Sequence, residues 1–221
     1  MSLVVVGTDT EVGKTVVSAL ILARYGRHAP LAYWKPIASG ATEGRDSDRI
    51  RRWVGHVAPV HDELYLFDAP VSPHLAARRE RRLVDPDEVR KALGELRRAH
   101  PDQRLVVEGI GGVMVPLTDQ GSLLIDLLAR LRLPCVVVAR SSVGTINHTL
   151  LTLEALRIRR ISVVGVVLNG PGNTENRKAI EWFGDVFVVS EVTPIRPLTR
   201  AGFSEAAETF DQREVLREYL T

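Results

Sequence analysis

Short apolar runs rich in β-branched residues punctuate the chain at positions 3–6, 31–34, 105–107, 135–138, 163–168 and 186–189. Between them, positions 14–24, 86–99, 123–132, 146–156 and 175–183 carry helix-like patterns of ordinary length. The short runs are apolar on both faces instead of alternating, which suits parallel strands covered by helices on each side. The alternation of the two kinds of segment predicts a doubly wound α/β fold with a mostly parallel sheet. Right-handed crossovers in such a fold gather ligand sites at the carboxyl ends of the strands. Polar and glycine-rich stretches fall there five times, at 7–15, 35–40, 108–112, 141–144 and 169–172, so five strand ends are expected to share one rim.

Composition narrows the picture. At 221 residues and 45% hydrophobic, the chain can bury one substantial core, and one domain over residues 1–221 is expected. A formal charge of +2 gives no large field towards nucleic acid. The run Arg78-Arg79-Glu80-Arg81-Arg82 lacks interleaved aromatics and is followed by Asp85, Asp87 and Glu88, so it reads as a solvated face. No segment approaches the ~18 apolar residues of a membrane span, and the N-terminal run is too short for a secretory signal. A cytoplasmic protein with no nucleic-acid or membrane partner is expected. Cys135, the only cysteine, lies in an apolar run and reads as a small core hydrophobe. Basic residues are 25 Arg against four Lys, which makes the placement of each lysine informative, and two of the four, Lys14 and Lys35, fall at strand ends.

The sequence GTDTEVGKT, residues 7–15, joins the first apolar run to the first helical pattern. Gly13-Lys14-Thr15 combines a helix N-terminus for anions, a cation for phosphates and a hydroxyl for Mg²⁺. Five residues instead of four separate Gly7 from Gly13, and the spacer includes Glu11, a carboxylate that phosphates repel unless it points away or helps hold a cation. At 105–109, Leu-Val-Val-Glu-Gly is a strand ending in Glu108, where phosphate-loop proteins carry an acidic partner for Mg²⁺; Gly109, Gly111 and Gly112 allow close backbone approach to a ligand. Mg²⁺ commonly takes one or two carboxylates with phosphates and water. Asp48 is the favoured second acid, although spacing alone does not separate it from Asp46. Lys35, followed by Pro36 and the small residues Ala38-Ser39-Gly40, is expected to face the ligand.

Together these segments resemble dethiobiotin synthetase. The resemblance is carried by GTDTEVGKT with its five-residue spacer, Lys35-Pro36 with Ala38-Ser39-Gly40, Ser47-Asp48, Ser72-Pro73-His74, Glu108-Gly109-Ile110-Gly111-Gly112 with Val115-Pro116-Leu117, Gly144-Thr145-Ile146-Asn147-His148 and Val166-Val167-Leu168-Asn169. It implies a P-loop NTPase fold and an ATP- and Mg²⁺-dependent closure of a cyclic urea from CO₂ and 7,8-diaminononanoate (7,8-diaminopelargonate). It also implies a homodimer with substrate at the interface. By the same resemblance, Lys35 and Lys14 are catalytic, the loop residues Thr10, Glu11, Val12, Gly13, Lys14, Thr15 and Val16 hold the nucleotide, and Thr15, Asp48 and Glu108 surround the metal. Gly109 and Gly111 would lie against the cofactor, and Asn169, Gly170, Thr193, Pro194 and Ile195 would serve the base. Thr10, Ser39, Gly111 and the helix start Gly144, Thr145, Ile146 and Asn147 would meet the substrate, the last four across the dimer.

Two other classes compete. Phosphate-loop enzymes that activate a carboxylate for amidation share a strand-end Glu-Gly-x-Gly-Gly but usually carry a glutaminase domain, for which 221 residues leave no space. Nucleotide switches of the partitioning type would be expected to place a second lysine early in the loop, where this chain has Thr8 and Asp9, and often carry a basic surface.

Overall fold

The computed structural model describes residues 2–221; Met1 lies outside the described residues. In chain order the elements are β1 (Leu3–Gly7), α1 (Lys14–Tyr25), β2 (Leu31–Trp34), β3 (Ile37–Ala38), α2 (Asp46–Val54), β4 (Val60–His61), β5 (Tyr65–Leu66), α3 (Pro73–Arg79), α4 (Pro86–Ala99) and β6 (Arg104–Gly112). They continue with α5 (Leu124–Leu131), β7 (Cys135–Arg140), α6 (Thr145–Ile158), β8 (Val163–Asn169), α7 (Thr174–Gly184), β9 (Val188–Val192), α8 (Arg200–Thr209) and α9 (Arg217–Leu220). Among the described residues seven strands form one sheet in the order β4-β2-β6-β1-β7-β8-β9, and every ladder in it is parallel. Strands β3 and β5 make a separate parallel pair beside it.

All five residues of β1 are buried, and their alternation divides the interior in two. Leu3 and Val5 pack into a core with α1, α2 and α8, through residues such as Leu20, Ile50, Trp53 and Phe203. Val4 and Val6 face the opposite core, with Leu93 of α4, Leu128 of α5, Leu156 of α6 and Ile180 of α7. Helices therefore cover both faces, as the uniformly apolar strands require.

Strand β1 lies at the centre, with β6 on one side and β7 on the other. The chain leaves β1 towards β2 and later returns to build the β7–β9 half, so the strand order reverses there and a crevice opens at the β1 carboxyl end. Strand β6 outruns the apolar stretch 105–107 because its glycine segment keeps pairing, ending with Gly7 opposite Gly112 after a register shift. Helix α2 was not evident as an element: it is mostly charged, and only Ile50, Trp53 and Val54, with Ser47, are buried.

Candidate functional site

The turn from β1 into α1 follows from two backbone demands. Glu11 adopts φ 55° and Gly13 φ 97°, both left-handed. A Cβ on Gly13 would also lie 2.0 Å from the Nδ2 of Asn169, which itself donates to the Val12 carbonyl at 2.9 Å. Glycine is therefore required at 13 by conformation and by space. No described side chain caps α1, which leaves its first-turn N–H groups for an anion. The Val12 side chain is buried in the core, whereas Glu11 is exposed. Lys14 is buried and donates to the Asp9 carbonyl at 2.9 Å. Burial drives the pKa of this ammonium down to about 8, against the attraction of Glu108 and helped by repulsion from Lys35.

Glu108, on β6 in register with Val5, is the hub of the site. Its carboxylate is buried and accepts four hydrogen bonds. Oε1 takes Thr15 Oγ1 at 2.9 Å and Lys35 Nζ at 3.0 Å; Oε2 takes Ser18 Oγ and Tyr33 OH, each at 3.0 Å. Lys35 Nζ also reaches Asp46 Oδ2 at 2.5 Å, so one ammonium bridges two carboxylates. Burial opposes the charge on Lys35, but Glu108 and Asp46 outweigh it and raise its pKa above the usual lysine range. Burial likewise opposes ionisation of Asp46, yet Lys35, Arg49 and Thr15 hold its carboxyl below the ordinary value.

Lys14, Thr15, Lys35, Asp46 and Glu108 line a cleft of about 830 Å³, together with Thr10, Glu11, Gly13, Val16, Ser39 and Gly111. Asp48 is not among them. It stands on the outer side of α2, half exposed and paired with Arg51 at 2.9 Å. Of the two acids that spacing does not separate, Asp46, at the first position of α2, is the one on the cleft, because two residues along a helix turn a side chain to a different face. The start of α2 is held by Glu63, whose buried carboxylate accepts from Ser47 Oγ at 2.6 Å and from Arg45 on the other side of Asp46. Nothing in the sequence pattern singled out Glu63.

Gly109 does not line this cleft, and a Cβ there would press on Leu124 of α5 at 3.3 Å. Gly111, with φ 59°, does line it. Gly170 lies against Ser141, whose Oγ would be 2.4 Å from an added Cβ, and joins Val192 through its N–H. Thr193, Pro194 and Ile195 border a second hollow of about 300 Å³ with Glu191, Glu205 and Phe210. Gly144, Thr145, Ile146 and Asn147 form the start of α6, outside the 830 Å³ cleft. Gly144 and Asn147 are exposed there, as are Val143 and Leu151. A further rim residue, Arg140 at the end of β7, donates to the Thr10 carbonyl at 3.0 Å. Its only signal in the sequence was a cation directly after an apolar strand. No cluster of three or more His, Cys, Asp or Glu residues suited to a metal occurs among the described residues. No helix among them is long and apolar enough to cross a membrane.

Known proteins resemble the chain in sequence and in fold. A family model described as an AAA domain matches residues 1–201. The chain is 49% identical over 197 residues to the ATP-dependent dethiobiotin synthetase BioD of Paramagnetospirillum magneticum, covering 89% of this chain and 90% of the relative. It is 39% identical over 218 residues to the enzyme of the same name from Agrobacterium fabrum, covering 98% and 96%. Among solved structures, the cell division ATPase MinD of Pyrococcus furiosus superposes with a TM-score of 0.58 at 14% identity, over 94% of this chain and 97% of that one, a likeness of fold.

Proposed function

Because this chain belongs to the dethiobiotin synthetase family, ATP-dependent cyclo-ligases that close diaminopelargonate with CO₂ to dethiobiotin, we propose that the 830 Å³ cleft carries out phosphoryl transfer to a substrate carbamate. The carrying observation is the convergence of Lys14, Thr15, Lys35, Asp46 and Glu108 on that cleft at the phosphate loop. In the reaction, one amine adds to CO₂ and releases a proton to give a carbamate. The carbamate oxygen attacks the γ-phosphorus, ADP departs, and the second amine attacks the resulting carbamic-phosphoric anhydride at carbon, expelling phosphate and closing the urea.

The donor set fits Mg²⁺: two carboxylates of the chain already hold a cation, the Lys35 ammonium, the Thr15 hydroxyl bonds to one of them, and Mg²⁺ prefers few protein oxygens with phosphates and water. Thr15, Asp46 and Glu108 would hold it, and when bound it neutralises charge on the phosphates. Lys14 and the free N–H groups at the start of α1 bind the phosphate oxygens. Lys35, anchored at a strand end, stabilises the negative charge that builds on the carbamate and γ-phosphoryl oxygens, a contribution that grows in the transition state. Ser39, Thr10 and Gly111, on the cleft wall, orient the diamine. The hollow behind Thr193, Pro194 and Ile195 takes the base, with Asn169 and Gly170 between it and the phosphate loop.

The start of α6 offers a dipole and uncapped N–H groups to an anion, and lies outside its own cleft beside exposed Val143 and Leu151. We assign it to the substrate carboxylate of a second copy, making a homodimer, and the reaction to the cytoplasm. The test is phosphate release from MgATP and bicarbonate with and without diamine. Release only with diamine, with the cyclic urea detected by mass spectrometry, is the expected outcome; diamine-independent hydrolysis without urea would overturn the reading.

A further inference from the structure

The two oxygens of Glu108 are held from opposite sides. Oε1 meets Thr15 and Lys35, the cleft-lining groups. Oε2 meets two hydroxyls that line no part of the cleft: Ser18, one helical turn beyond Lys14, and Tyr33, on the neighbouring strand β2, both with no solvent exposure. A carboxylate offers about four lone-pair sites; buried hydroxyls take the two on Oε2, while the two on Oε1 meet Thr15 and Lys35, cleft-lining groups that can give way to an entering cation. The terminal torsion of a glutamate is otherwise broad and roughly two-fold, so an unpinned carboxylate could turn either oxygen, or its edge, towards the cleft.

We propose that Tyr33 and Ser18 are positioning residues for the reaction: by donating to Oε2 they hold the Glu108 carboxylate so that Oε1 alone is presented to the cation and to Lys35. This rests on the reading of the cleft as a Mg²⁺-nucleotide site and adds to it the residues that set the orientation of its deepest ligand. Neither hydroxyl touches the reacting groups. The arrangement depends on sheet order: β2 and β1 flank β6, so the strand carrying Glu108 lies between the strand carrying Tyr33 and the strand that feeds the helix carrying Ser18. A phenol on β2 is long enough to reach the carboxylate beneath the sheet rim, and its counterpart at Trp34 points elsewhere, with its indole N–H on the Asp62 carbonyl at 3.1 Å.

The test is Tyr33→Phe, which keeps the ring and removes the donor, with Ser18→Ala as the second variant should the first fail to fold. Binding of ADP is measured by calorimetry with and without Mn²⁺, and bound Mn²⁺ by its electron paramagnetic resonance. Loss of an orienting partner of a metal ligand typically costs ~10–100-fold in metal affinity. Each variant is therefore expected to bind Mn²⁺ in the ADP complex at least ~10-fold more weakly, while metal-free ADP affinity stays within ~2-fold and Mn²⁺ spectra broaden. If both variants lose thermal stability but keep the wild-type Mn²⁺ affinity and spectrum, the hydroxyls only satisfy a buried carboxylate and the proposal fails. Because nothing in this experiment uses the diamine, that failure is separate from absence of cyclic urea in the turnover assay, which would sink the assigned reaction.

Discussion

Nucleotide binding is expected to draw a proton onto Lys14. The side chain is 7% exposed, and burial lowers its pKa from 10.5 to about 8. In the free protein this costs about 3 kcal/mol at neutral pH, since the ammonium is desolvated without full compensation. The sign follows from linkage. Between pH 8 and 10.5 the unfolded chain binds more protons than the folded one, so stability rises with pH across that window and the penalty is fully present below it. A phosphate anion against Lys14 restores the missing partner and returns the pKa above the window. At pH 8 the free protein then holds about half a proton at this site and the complex nearly one, an uptake of about 0.5; at pH 9 the uptake is about 0.9. Lys35 is already protonated in the free protein, held so by Glu108 and Asp46, and therefore takes up no proton on binding. Calorimetry of ADP binding with Mg²⁺, in buffers of differing ionisation enthalpy at pH 8 and 9, reads the proton count directly. Lys14→Arg, permanently charged, removes the uptake. A proton count that is flat between the two pH values, or unchanged in Lys14→Arg, refutes the assignment.

Lys35→Ala should lower kcat by ~10²–10³ while changing the KM for ATP by less than ~3-fold, and equal losses in steady-state kinetics would make Lys35 a uniform binder. Asp46→Asn is expected to raise the Mg²⁺ concentration for half-maximal activity by at least ~10-fold, whereas Asp48→Asn, at an exposed pair with Arg51, should shift it by less than ~2-fold; Mg²⁺ titrations of both variants separate the two acids. Gly13→Ala should lose at least ~1 kcal/mol in denaturant melts through its left-handed backbone alone, and more through contact with Asn169, with ADP affinity falling alongside.

The sheet was legible because burial on both faces leaves a plain signature: runs 3–6, 31–34, 135–138 and 163–168 each coincide with a strand, and helix 86–99 is matched residue for residue. The phosphate loop, Lys35 and Glu108 were legible because their chemistry demands particular residues at strand ends. Asp46 against Asp48 was not decidable from spacing. The choice depends on the rotation of α2, which Glu63 sets through Arg45 and Ser47 from a loop 16 residues away. The role of Gly109 was hidden for a similar reason, since a glycine that admits Leu124 and one that admits a ligand look alike until the helix is docked. Tyr33 read only as another apolar strand residue, because a hydroxyl gives no sign in a hydrophobic run of where it ends. The segment 186–189 began two residues early because Val186 packs before the strand pairs, and β9 instead runs on to Val192.

The bridge from Lys35 to Asp46 and Glu108 has a consequence for how ligands arrive. With Lys14, these groups of the cleft floor are two cations and two anions whose formal charges sum to zero, and the other charged groups of the lining, Glu11, Glu43 and Arg49, leave the cleft only one negative charge from neutral. Such a floor projects little field into solvent and gives scant attraction to a bare polyanion at long range. What it can accept is an ion and its counter-ion together, each exchanging partners with a lysine or a carboxylate already in place. The cleft is in this sense a receptor for a salt, and the rate of nucleotide capture should depend more on how much nucleotide is already metal-complexed than on the ionic strength of the medium.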